Sequence, residues 1–177
     1  VIEETLEKEI RNCHGKFIFT TQSSNISRIQ QAINVAIKNN RKIVFLGRSI
    51  LKNVEVTSKL KYLDFPDMFV VPEKEMRKYK PADLAVIVTG SQAQPHSALM
   101  RMAEGVHKFA TVNPGDVVVF SADPIPGYEN AVHNLIDTLT ILGARVAYSD
   151  ITDELHVSGH GAANDLALMI GLTKPKF

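Results

Sequence analysis

The chain has 177 residues, 45% hydrophobic and 22% charged, with 20 basic and 19 acidic residues and a net charge of +1. That length supports one domain with a full core, and that composition excludes a disordered chain. Near-neutrality excludes a global field for polyanions, so nucleic-acid affinity has to come from a local patch. The single cysteine, Cys13, excludes an internal disulfide and a cysteine-rich zinc site, and fits a reducing, cytoplasmic compartment. No apolar run approaches the roughly 20 residues of a membrane span, so no membrane partner is expected. The start, Val1-Ile2-Glu3-Glu4, is acidic, lacks a methionine and has no signal-peptide pattern. The end, Thr173-Lys174-Pro175-Lys176-Phe177, reads like the entry to a further strand, and both ends are expected to be those of a fragment.

Apolar β-rich runs alternate with helical patterns along the chain. Residues 16–21 (KFIFTT) read as a short strand. Residues 24–39 place Ile26, Ile29, Ile33, Ala36 and Ile37 on one helical face, with Ser24 or Asn25 as cap. Residues 42–47 (KIVFLG) form a second buried strand, followed by a helix over 50–60. Residues 68–71 are short and apolar, and 73–79 form a polar helix. Residues 84–90 (LAVIVTG) have the near-continuous apolar character of a central parallel strand. A helix over 97–105 and a turn at Asn113-Pro114-Gly115-Asp116 lead to a strand at 117–122 (VVVFSA). An amphipathic helix over 128–142 ends at Gly143, then come a strand at 145–148 and a last helix over 162–172. This alternation predicts an α/β three-layer sandwich, a mainly parallel central sheet flanked by helices, of Rossmann or flavodoxin-like type. No internal repeat or low-complexity linker interrupts it.

The strands share an exit pattern. Each runs into a small polar loop: Thr21-Gln22-Ser23-Ser24-Asn25, Gly47-Arg48-Ser49, Thr89-Gly90-Ser91-Gln92, Ser121-Ala122-Asp123-Pro124-Ile125-Pro126-Gly127, and Val157-Ser158-Gly159-His160-Gly161. In open α/β sheets the ligand crevice lies outside the carboxyl ends of the strands. A rim of hydroxyls and helix-start N–H groups there would hold phosphates, and several phosphates in a row are a nucleic-acid backbone. The same residue types also serve simply as turn and cap residues in such loops.

The segment His156-Val157-Ser158-Gly159-His160-Gly161 carries the densest chemistry, with imidazoles that titrate near neutrality beside glycines that let a backbone approach a ligand. His156 and His160 have the separation of helical zinc ligands, but Gly159 breaks a helix there and no third ligand is spaced to join them. There is no Walker A sequence, no G-x-G-x-x-G, and no nucleophile elbow around Ser158. His14, His107 and His133 read as surface or helix-packing residues, His96 as a loop residue, and the basic run 74–80 as a solvated face.

Taken in order, these loops resemble the β-CASP region of the RNase J family, ribonucleases of the metallo-β-lactamase superfamily. The resemblance rests on Ser24-Asn25-Ile26-Ser27-Arg28-Ile29-Gln30-Gln31, Val44-Phe45-Leu46-Gly47-Arg48-Ser49, Thr89-Gly90-Ser91-Gln92, Ser121 with Pro124-Ile125-Pro126-Gly127-Tyr128-Glu129, and His156-Val157-Ser158-Gly159-His160. Ala98-Leu99-Met100-Arg101-Met102-Ala103 and Asn113-Pro114-Gly115-Asp116 also fit, so it covers nearly the whole chain.

The resemblance implies a cytoplasmic, homo-oligomeric parent that processes rRNA and degrades mRNA, cutting internally and from a 5′-monophosphorylated single-stranded end. It implies two zinc ions in the metallo-β-lactamase domain, which would activate water for attack on phosphorus. Residues 1–153 would be the β-CASP domain, and 154–177 the return segment toward the nuclease domain. His160 occupies the motif B histidine position and would bind the scissile phosphate or assist leaving-group protonation. His156, Ser158, Gly159 and Gly161 would hold phosphate oxygens, and Ser121 and Gly127 would line a 5′-phosphate pocket. Ser24, Asn25, Arg28, Arg48, Ser91 and Gln92 would contact RNA.

Three departures stand out: the His-x-His-x-Asp-His zinc motif and the motif C histidine are absent, and Ala93-Gln94 replaces the family's usual Gly-Glu. No metal ligand is therefore expected in this chain, no zinc is expected to bind it, and alone it is expected to be inactive. Two other readings stay open: a non-catalytic α/β module for a nucleotide or phosphometabolite, and the β-CASP domain of an RNA 3′-end cleavage factor.

Overall fold

The computed structural model describes residues 2–148 and 161–176. His156, Ser158, Gly159 and His160, and the expected boundary between 153 and 154, lie outside the described residues. The strands are β1 (Phe17–Thr20), β2 (Lys42–Leu46), β3 (Leu84–Val88), β4 (Val117–Phe120) and β5 (Arg145–Ala147). The helices are α1 (Ile2–Arg11), α2 (Ile26–Lys38), α3 (Arg48–Lys59), α4 (Ala98–Ala103), α5 (Glu129–Ile141) and α6 (Ala163–Thr173). The five strands lie in the order β2-β3-β1-β4-β5, and every pair is parallel. Phe17 of β1 stands beside Ala85 on one side and Val117 on the other.

Strand side chains alternate between two cores, as the period-2 pleat requires. Phe17, Phe19, Ile43, Phe45, Ile87 and Val119 join α1, α2 and α3 on one face. Ile18, Val44, Leu46, Val86, Val118 and Phe120 join α4 and α5 on the other. Both faces are covered, which explains the unbroken apolar runs. The loop leaving β1 thus turns toward one layer, while the loops leaving its neighbours β3 and β4 turn toward the other. Divergence of that kind opens a crevice at the carboxyl ends of the strands.

α1 extends the sequence reading. Its first turns look only acidic, yet Ile2, Leu6 and Ile10 recur every fourth residue and are buried against α2 and β4. Glu9, also buried, pairs with Arg145 at the start of β5. The polar helix expected over 73–79 is a 3-10 helix, Glu73–Lys78, that buries only Met76. Pro72 precedes it and Pro81 follows, which leaves too short a span for an α-helical apolar face. The apolar stretch at 68–71 is a 3-10 turn, Asp67–Phe69, after which Val70 bridges Ile43.

The edge opposite the crevice is tied by buried charges. Asp116 accepts from the Lys16 amide at 2.7 Å, from the Asn113 amide at 2.9 Å and from Lys16 Nζ at 2.7 Å. Arg41 is buried among backbone carbonyls of the chain before β1 and the start of β3. Cys13 is buried beside it, and burial pushes its thiol up in pKa. α6 exposes Leu166, Leu168, Met169, Ile170 and Leu172 among the described residues. No helix among them is long and apolar enough to cross a membrane.

Candidate functional site

A cleft of about 1100 Å³ opens at the carboxyl ends of β1, β2 and β3. Thr21 to Ser24 come from the β1 exit, Gly47 to Ser49 from the β2 exit, and Thr89 to Ser91 from the β3 exit. Gln94 to Ala98, Arg101, His107 to Phe109, Glu73 and Leu51 complete its lining. Ser24, Arg48 and Ser91 are therefore brought together as expected from their loops.

Each loop has a local reason for its shape. Gly47 takes φ +116°, and a Cβ there would lie 2.4 Å from Thr89 Oγ1, so only glycine lets the β2 and β3 exits meet. Gly47 starts α3 without a side-chain cap, which leaves helix-start N–H groups of the Arg48–Ser49 turn beside the cleft. Ala93 and His96 hold left-handed backbone at φ 51° and 62°, which curls the β3 loop back before Ser97 caps α4. Ala93, an L residue at positive φ, holds this left-handed backbone at some strain.

The charge is one-sided. Among the described lining residues, Arg48, Arg101 and Lys108 are cationic and Glu73 is the one carboxylate. A neutral chain thus carries the local patch that phosphate binding needs. His107 is half-buried, and burial first, then the Arg101 guanidinium, lower its pKa while Glu73 opposes them.

Other expected contacts do not line this cleft. Asn25 caps α2, its Oδ1 accepting from the Arg28 amide at 3.2 Å. Arg28 is 6% exposed and donates to Gln31 Oε1 at 3.3 Å. Gln92 is buried; its Nε2 donates to the Asp123 carbonyl at 2.9 Å and its Oε1 accepts from the Ile125 amide at 2.8 Å. That amide spends its hydrogen bonds on shaping the loop after β4. In that loop Ser121 is buried with its hydroxyl unpartnered among the described residues. Gly127 is exposed, and its amide donates to Glu129 Oε2 at 2.6 Å. Gly161 is exposed just before α6.

Arg101, His107, Lys108 and Glu73 were not legible as site residues. α4 has only six residues, so the chain returns to the same rim far from any strand end. His96, read only as a loop residue, also lines the cleft.

The parallel sheet and its crevice define a doubly wound α/β domain. The chain belongs to the Ribonuclease J family and forms its β-CASP domain, since residues 14–139 match the family model described as Ribonuclease J, beta-CASP domain. It is 41% identical over 174 residues to a Ribonuclease J of Helicobacter pylori (strain ATCC 700392 / 26695), covering 98% of this chain and 25% of that protein. It is 37% identical over 177 residues to Ribonuclease J 1 of Streptococcus pyogenes serotype M3, covering 100% of this chain and 31% of that protein. Ribonuclease J2 of Bacillus subtilis (strain 168) is 38% identical over 166 residues, or 94% of this chain and 30% of that protein. The chain thus spans about a quarter to a third of the length of these relatives. Membership in this family replaces the 3′-end cleavage factor reading.

Proposed function

We propose that this chain is the RNA-binding portion of a zinc-dependent ribonuclease, which acts as endonuclease and 5′-exonuclease in RNA processing and decay. The cationic cleft at the strand ends carries the reading: hydroxyls, helix-start amides and three cations converge there against one carboxylate. Its substrate is single-stranded RNA, preferably 5′-monophosphorylated. Ser24, Arg48 and Ser91 contact its backbone. Gln92 acts indirectly, by fixing the loop that carries Ser121 and Gly127. His160 contacts the scissile phosphate or assists leaving-group protonation, and His156, Ser158, Gly159 and Gly161 hold phosphate oxygens.

The described residues contain no group of three or more His, Cys, Asp or Glu suited to a metal ion. They do not fit the zinc pair, so no step through zinc is derived, and the metal chemistry is assigned to the rest of a longer, homo-oligomeric, cytoplasmic enzyme. The apolar side chains exposed along α6 support its role as a segment that packs against that remainder.

A length series tests the reading. Affinity is expected to rise at least tenfold from a 5′-mononucleotide to a single strand of about ten nucleotides, because each added phosphate contact adds affinity. Equal affinity across the series would favour a module for small phosphate ligands. Metal-dependent cleavage by the chain alone, at the rate of a full-length relative, would contradict the assigned division of labour.

A further inference from the structure

His107 looks like surface in the sequence but is half-buried in the cleft and held at one ring nitrogen. Its Nδ1 accepts from the amides of Phe109 and Ala110, both at 3.3 Å. A nitrogen that accepts two N–H groups carries no proton, so the ring's proton sits on Nε2. His107 lines the cleft, and no described residue accepts a hydrogen bond from its Nε2. Arg101, Lys108 and Glu73 line the same cleft.

We infer that His107 contacts RNA as an uncharged hydrogen-bond donor, presenting Nε2–H to an acceptor oxygen of the strand in the cleft. The inference rests on the proposed RNA-binding function. It assigns His107 a role distinct from that of the arginines. A neutral donor adds directional recognition and displaces no counterion, so its contribution does not depend on salt. Protonation is unfavourable on both counts: a proton on Nδ1 expels the Phe109 and Ala110 amides, and burial and Arg101 oppose the charge while Glu73 only partly favours it. The native pKa is lowered, so the turn's stabilisation is complete above the ordinary histidine value and is lost as pH falls through the lowered one.

The variant His107→Asn separates the two ends of the ring. Asparagine Oδ1 accepts from the amides two and three residues on, as in an Asx turn, so the turn is kept and the Nε2 donor is lost. H107N is expected to keep the wild-type unfolding midpoint and to bind a single-stranded oligoribonucleotide about three- to tenfold more weakly. Its salt dependence is expected to match wild type. The wild-type advantage is expected to hold at neutral pH and to shrink on acidification. Equal affinity of H107N and wild type, or an advantage that grows on acidification, overturns the inference. Independently of any variant, long-range proton–nitrogen spectra of the wild-type chain should show the Nε2–H tautomer, with that signal shifting as RNA is added. The other tautomer, or an unmoved signal with RNA bound, also overturns it. A wild-type chain that binds no RNA at all instead refutes the proposed function.

Discussion

Replacing Arg41 with alanine is expected to lower the unfolding free energy by about 3–5 kcal/mol, as much as truncating a buried core side chain. The Arg41 side chain is 6% exposed, and its guanidinium binds carbonyls rather than a carboxylate. Nη1 donates to Gly15 O at 2.8 Å and Leu84 O at 3.2 Å; Nη2 donates to Cys13 O at 2.6 Å and Ile10 O at 3.3 Å. These carbonyls belong to the end of α1, the turn before β1 and the first residue of β3. Truncation removes a buried donor from all four; Ile10 O keeps the Cys13 amide and Gly15 O the Cys13 thiol, so the full cost, about 1–3 kcal/mol for each group that cannot find water, falls on those left without a partner. Local relaxation brings the sum down to the stated range. Lysine should recover only part, because one ammonium cannot span a fork of carbonyls. Denaturant unfolding is the check: the midpoint should fall with little change in slope. A loss under about 1 kcal/mol would mean that water or a shifted backbone satisfies these carbonyls.

Replacing Arg48 and Arg101 together with alanine is expected to weaken single-stranded RNA binding by about 10- to 100-fold at low salt. Arg48 lies at the start of α3, which has no side-chain cap, and Arg101 lies on α4; both line the same cleft. If each neutralises one phosphate, the slope of log affinity against log salt should become shallower by about 1.4, the single-strand value for two contacts. Affinity lost without a change in slope would mean that the arginines shape the cleft instead. Their weak structural ties favour the direct role: Arg48 is exposed, and the contact from Arg101 to Val106 O is long at 3.5 Å.

Most of the scaffold was readable because its signals are local. Strands such as Leu84–Val88 are continuous apolar runs, α2 keeps a helical face after its Asn25 cap, and α5 keeps one that stops before Gly143. α1 escaped because three apolar residues among charges suffice once α2 and β4 are there to cover them, and those neighbours are distant in sequence. The cleft was readable where strand ends feed it, at Ser24, Arg48 and Ser91. It was not readable where the chain returns to the rim: His107 acquires its meaning from a two-amide turn and from Arg101 and Glu73, none of which leaves a sequence pattern. Asn25, Arg28 and Gln92 show the converse. Polar residues in a functional loop can spend their hydrogen bonds on holding that loop.

The central claim is that RNA lies across the carboxyl ends of β1, β2 and β3, and amide chemical-shift mapping during titration with a single-stranded oligoribonucleotide tests it most directly. The account predicts changes concentrated at Ser24, Gly47 to Ser49, Thr89 to Ser91 and His107 to Phe109. Changes confined to the opposite edge, around Gly15, Arg41 and Gly115, would contradict it.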